Sequence, residues 1–131
     1  MITNKSFKIN EQGHLEIGGI DCVDLAKQFG TPLYVLDEQS IREVCKKYAS
    51  ALKEYPDSLV CYASKALSTK AIYKIVQSEG LGADVVSGGE LYTAASAGFD
   101  MDKVYFHGNN KSYDELVMAV KLGVHCIVVD N

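Results

Sequence analysis

The stretch Ser58-Leu59-Val60-Cys61-Tyr62-Ala63-Ser64-Lys65-Ala66 sets an apolar run against a lysine, just ahead of a segment with helical spacing. Residues 58–63 have the length and composition of a strand buried in a parallel sheet. Lysine is rarely buried without a partner, so its place at the end of such a strand needs a reason. Two readings of Lys65 stand side by side. It surfaces where the strand ends, or it is held for covalent chemistry with a carbonyl cofactor or substrate.

Downstream the chain keeps one rhythm. The strand over 58–63 is followed by a helix over 69–78, capped by Ser68 and stopped by Gly80. Ala83-Asp84-Val85-Val86 is the next strand, and Ser87-Gly88-Gly89-Glu90 opens the next helix, with Ser87 and Glu90 at capping-box spacing. Val104-Tyr105-Phe106-His107 leads to Gly108-Asn109-Asn110-Lys111, then to a helix headed by Ser112 and Glu115 at the same spacing and ended by Gly123. Val124–Val129 is a fourth strand. The unit recurs every 20 to 23 residues, and such alternation with short connections forces parallel neighbours and right-handed crossovers. An open doubly wound sheet and a piece of a (β/α)₈ barrel both satisfy it. No G-x-G-x-x-G follows the first strand, and Ser87-Gly88-Gly89 lacks the third glycine of a dinucleotide loop.

Upstream, residues 1–20 are polar and turn-rich and predict one or two short strands. Asp21 caps a helix over 22–29 that stops at Gly30, and Thr31-Pro32-Leu33-Tyr34-Val35-Leu36 predicts a strand. Asp37 caps a longer helix to about Glu54. Its apolar stripe, Ile41, Val44, Cys45, Tyr48 and Leu52, is expected to pack in a core. The fourth strand ends at Asp130-Asn131 with no helix after it, so the 131 residues are expected to be the N-terminal part of a longer fold.

Composition narrows the functional classes. At 47% hydrophobic, 23% charged and net charge −4, the chain carries no basic footprint for nucleic acid. Cys22, Cys45, Cys61 and Cys126 form no C-x-x-C pair, which argues against zinc and predicts a reducing, cytoplasmic setting. No signal peptide or membrane span is apparent. In parallel βα folds the loops at the C-terminal strand ends build the site. Those ends carry Lys65, Asp84, His107 with Asn109 and Asn110, and Asp130 with Asn131. Lys65 and Asp84, 19 residues apart, are expected to be neighbours on adjacent strands. A carboxylate there favours the ammonium form of the lysine, or could anchor a cationic group of a substrate. His107 reads either as a satisfied strand residue or as a site-lining one.

Tyr62-Ala63-Ser64-Lys65-Ala66 resembles the Tyr-Ala-x-Lys motif of the fold-type III pyridoxal-phosphate enzymes. Phe29–Val35 looks like that family's entry strand. Ala83–Leu91 and Phe106–Ser112 are similar to its diaminopimelate-decarboxylating branch, and the resemblance runs from about Gly13 onward. It implies an α/β fold: a partial (β/α)₈ barrel of three βα units plus a fourth strand over 37–131, with residues 1–36 an extension whose strands belong to a β domain. It further implies pyridoxal 5′-phosphate carried by Lys65, with Asp84 and His107 as cofactor-binding neighbours and no metal. The implied reaction is decarboxylation of meso-2,6-diaminopimelate to L-lysine by a homodimer of the full-length enzyme. The family's phosphate loop, ring-stacking histidine, pyridine-nitrogen glutamate and partner-subunit cysteine match nothing within 131 residues, so these residues alone are expected to be inactive. A non-catalytic pyridoxal-phosphate carrier and a self-associating half-barrel are the competing readings.

Overall fold

The computed structural model describes residues 6–129, and the chain divides into two compact units, Met1–Val44 and Cys45–Asn131. In the first, strands β1 (Phe7–Ile9), β2 (Leu15–Ile17) and β3 (Ile20–Asp21) form an antiparallel sheet in that order. Gly18 and Gly19, at φ 58° and 82°, make the two-residue turn between β2 and β3, where both central positions need the left-handed region that glycine enters without a Cβ penalty. Asp21 closes β3 and caps helix α1 (Cys22–Phe29), accepting the N–H of Val23. Gly30 ends that helix and donates its N–H to the carbonyl of Ala26. None of the described residues before Cys45 is buried.

Two expectations fail near this point. Thr31–Leu36 forms no strand, because no strand among the described residues lies beside it to share a ladder, and Tyr34 is wholly exposed. Helix α2 (Glu38–Ala51) does start at Asp37, whose carboxylate accepts from the Gln39 N–H at 3.0 Å. Its apolar stripe, however, is not core. Cys45 alone is buried, while Val44, Tyr48 and Leu52 are exposed. Correct periodicity buries nothing unless another element covers the face.

The second unit carries the parallel sheet. Strands β4 (Cys61–Ala63), β5 (Gly82–Val85), β6 (Val104–Phe106) and β7 (Cys126–Ile127) pair in sequence order. They are joined by helices α3 (Lys70–Ser78), α4 (Gly88–Ser96) and α5 (Tyr113–Leu122). β4, β6 and β7 are shorter than the strands expected there, β5 starts one residue early, and α3 is capped by Thr69, not by Ser68. A strand order that never reverses sends every right-handed crossover to the same side of the sheet, as in a barrel wall. A doubly wound sheet would reverse its order and cover both faces.

Burial follows from that. Ala83, Val85, Val104 and Phe106 are completely buried. On the other face, Ala63, Asp84, Tyr105 and Cys126 stand in register across all four strands and keep solvent access. Tyr73 and Leu91, both at 0% exposure, complete the covered core, with the ring of Tyr73 edge-on to Phe99 at 5.6 Å. Close backbone approach is enforced at Gly82, where a Cβ would lie 2.6 Å from the carbonyl oxygen of Lys103.

Leu91→Ala is expected to destabilise the fold by about 2–5 kcal/mol in chemical denaturation. Tyr92→Ala, one position along α4 and exposed, should stay within about 0.5 kcal/mol.

Candidate functional site

Lys65 lies one step beyond the strand, in a 3₁₀ turn, Ser64–Ala66, that follows β4 directly. It is exposed, and among the described residues its ammonium nitrogen makes no hydrogen bond or ion pair. Its neighbours are tightly tied. The Leu67 N–H donates to the Ser64 carbonyl at 3.1 Å, and the Tyr62 hydroxyl donates to the Leu67 carbonyl at 3.0 Å. The Ser64 hydroxyl, at 0% exposure, faces the Asp84 carbonyl oxygen at 2.9 Å and Oε1 of Glu90 at 3.0 Å. A free amine therefore stands on a turn whose flanking residues are fixed.

Asp84 is the third residue of β5, paired with Ala63 on one side and Tyr105 on the other. The pleat thus sets its carboxylate on the open face, two residues in register below Lys65. Burial pushes the half-buried Cys61 thiol up, and the Asp84 charge pushes it further. His107 follows β6 and is exposed, with its backbone N–H donating to the Val85 carbonyl at 2.8 Å. Asn109 and Asn110 are exposed in the same loop. Lys65, Asp84 and His107 thus share the C-terminal end of the sheet. Asp130 and Asn131 lie outside the described residues.

Three residues whose long-range contacts the local sequence does not announce hold this end together. Glu90 was expected only to complete a capping box with Ser87, and Ser87 does cap α4 by accepting the Glu90 N–H at 3.3 Å. The Glu90 side chain goes elsewhere. Oε2 accepts from the Val86 N–H at 2.9 Å and from the Ser87 hydroxyl at 2.8 Å, while Oε1 meets Ser64. Glu115 does close a true capping box with Ser112, and its second oxygen accepts the Gly88 N–H at 2.6 Å, joining the starts of α4 and α5. A Cβ on Gly88 would sit 2.9 Å from Cγ of Glu115. Lys111 donates to the carbonyls of Gly108 and Val128, the latter at 2.6 Å, and lies 5.8 Å from the centre of the Phe106 ring. Its ammonium staples the His107 loop to the chain after β7.

A cleft of about 250 Å³ opens beside this loop, lined by Asn109, Lys111, Leu116 and Ile127. Another, bounded by Leu52, Tyr55, Leu59 and Leu81, lies at the N-terminal strand ends, away from Lys65. Among the described residues no cluster of His, Cys, Asp and Glu is arranged to hold a metal, and no helix is long and apolar enough to cross a membrane.

Residues 39–131 match the sequence model of the pyridoxal-dependent decarboxylase pyridoxal-binding domain. The chain belongs to that family. Diaminopimelate decarboxylase of Bacillus methanolicus is 54% identical over 125 residues, covering 95% of this chain and 29% of its own. The Bacillus subtilis enzyme of the same name is 50% identical, covering 100% and 30%. Among solved structures, diaminopimelate decarboxylase from M. jannaschii in complex with L-lysine superposes with a TM-score of 0.93 at 37% identity, over 100% of this chain and 31% of that one. The chain spans about 30% of the length of these relatives. With an unreversed parallel order and all helices on one side, the second unit is a partial (β/α)₈ barrel of the pyridoxal-phosphate decarboxylase type.

The Glu115 carboxyl is held below its ordinary value of 4.5, first by the Ser112 N–H and then by the Gly88 N–H. A carboxyl depressed on folding adds stability above its unfolded pKa and loses it as pH falls through the folded value. Glu115→Gln should therefore be less stable than the parent at neutral pH. The gap in denaturation free energy should close on acidification through the carboxylate range.

Proposed function

We propose that the protein at its full natural length is a pyridoxal-phosphate-dependent carboxy-lyase that converts meso-2,6-diaminopimelate to L-lysine. In this reading Lys65 is the amine that takes the cofactor. The observation that carries it is the placement of Lys65: an exposed amine without a partner among the described residues, on a turn fixed by Ser64 and Leu67, at the C-terminal end of the parallel sheet. The names of the relatives support the substrate, and the matched pyridoxal-binding domain supports the cofactor.

The described residues fit such a group at the point where it must attach. An aldehyde cofactor requires a primary amine that is accessible and not held by a carboxylate, and Lys65 is both. Asp84 puts one negative charge on the open face nearby, placed to orient the lysine or to attract a cationic substrate group. His107 borders the same end of the sheet on a loop that Lys111 holds in place. Once bound, the cofactor supplies an electron sink for the carbanion left when carboxylate is lost. The protein's part is to present the Lys65 amine, to place the Asp84 charge, and to screen the back of the site with the buried layer of Val85 and Phe106. Residues 37–131 are then part of the cofactor-binding barrel, and 1–36 belong with a β domain. Assembly as a homodimer goes with this reading. So does a reducing, cytoplasmic setting, supported by the free thiols of Cys22, Cys61 and Cys126.

Borohydride reduction in the presence of pyridoxal phosphate, followed by peptide mapping, tests the assignment. The label is expected at Lys65 and should vanish in Lys65→Ala together with lysine formation from diaminopimelate. A label on another lysine, with Lys65 unmodified, would sink the proposal. Labelling at Lys65 in a full-length protein that forms no lysine would favour a carrier.

A further inference from the structure

Glu90 is the most buried of the acidic residues described, at 8% exposure, and among the described residues no cation is its partner. A carboxylate taken this far out of water must be satisfied by other donors or it costs several kcal/mol. Three neutral donors surround it: the hydroxyl of Ser64 at 3.0 Å, the N–H of Val86 at 2.9 Å and the hydroxyl of Ser87 at 2.8 Å. They come from three places in the chain: the turn after β4, the segment after β5, and the cap of α4. The backbone carbonyl of Glu90 is held too, by the hydroxyl of the fully buried Tyr73 at 3.2 Å. Cap formation needs only the Ser87 contact. The reach to Ser64, across 26 residues, is not part of any cap.

We propose that Glu90 is a positioning residue for Lys65. Through Ser64 it locks the Ser64–Ala66 turn to the C-terminal end of β5, so that the Lys65 amine is presented over the open face. This rests on the reading that Lys65 is the amine that takes the cofactor. Ser64 carries one hydroxyl hydrogen and faces two acceptors, the Asp84 carbonyl and Oε1 of Glu90. That arithmetic makes glutamine an informative replacement. In Glu90→Gln the amide nitrogen can donate to Ser64 Oγ while the Ser64 hydrogen goes to Asp84. The amide oxygen still accepts from Val86 and Ser87. The hub survives without its charge. Ser64→Ala, in contrast, removes the hydroxyl that ties the turn both to Oε1 of Glu90 and to the Asp84 carbonyl, and leaves the bonds of Glu90 to Val86 and Ser87 intact.

Two readouts on the full-length protein test this: amide hydrogen exchange without cofactor, and the rate of borohydride-trapped labelling at Lys65 with pyridoxal phosphate. In Ser64→Ala the Leu67 amide should exchange about tenfold faster and Lys65 should label about tenfold more slowly, as expected from losing one buried hydrogen bond. The Val86 and Leu91 amides should keep their protection. Glu90→Gln should match the parent within about twofold in both readouts. The proposal is overturned if Ser64→Ala leaves Leu67 and Lys65 at parental values. It is equally overturned if Ser64→Ala loosens the whole sheet uniformly, or if Glu90→Gln fails as Ser64→Ala does. Labelling of the parent at another lysine, with Leu67 responding as expected, would defeat the proposed function but not the locking of the turn.

Discussion

A single carboxylate, that of Glu90, joins the C-terminal ends of β4 and β5 to the start of α4. Short parallel strands leave their terminal backbone groups and connecting turns to be fixed by something other than the ladder. Here β4 has three residues and β7 two, so side chains take on that work. Glu90 does it for the first two strands, Glu115 ties α4 to α5 through Gly88, and Lys111 ties the β6 loop to the segment after β7. All three act at the same end of the sheet. Among the described residues these ties leave the Lys65 amine alone, and the turn that carries it meets Glu90 through Ser64.

This division of labour explains why the two sheet faces differ. The strands fill the helix-covered face with Ala83, Val85, Val104 and Phe106, none of which carries a polar side chain. The open face carries Asp84 and Tyr105 in adjacent register, where water or a ligand can meet them. Apolar packing on one side gives the rigidity, and hydrogen bonds at the rim give the orientation. A group arriving on the open face meets a carboxylate placed by β5, at the end of the sheet where the Lys65 turn stands.

Much of the second unit is legible in the sequence because its signals are local. Ser87, Ser112 and Glu115 announce helix starts, Gly123 announces a stop, and the strand–helix repeat fixes a parallel sheet. Lys65 stands out because lysine after an apolar strand is unusual. The contact between Ser64 and Glu90 is invisible at that level, since nothing in either local pattern names a partner 26 residues away. Glu90 even satisfies a local pattern, cap spacing, that masks its longer reach. In the first unit the signals mislead for a related reason. Thr31–Leu36 has strand composition yet pairs with no strand among the described residues, and the α2 stripe, which runs on into the second unit, has helical period yet buries only Cys45. Local sequence states what a segment can form; burial depends on what lies opposite.

The most direct test of this account is a crystal structure of the protein soaked with pyridoxal phosphate. Continuous density should run from Nζ of Lys65 to the cofactor on the face that carries Asp84 and Tyr105, with Ser64 within hydrogen-bonding distance of Glu90. Cofactor joined to another lysine such as Lys111, or lodged in the cleft at the N-terminal strand ends, would contradict it.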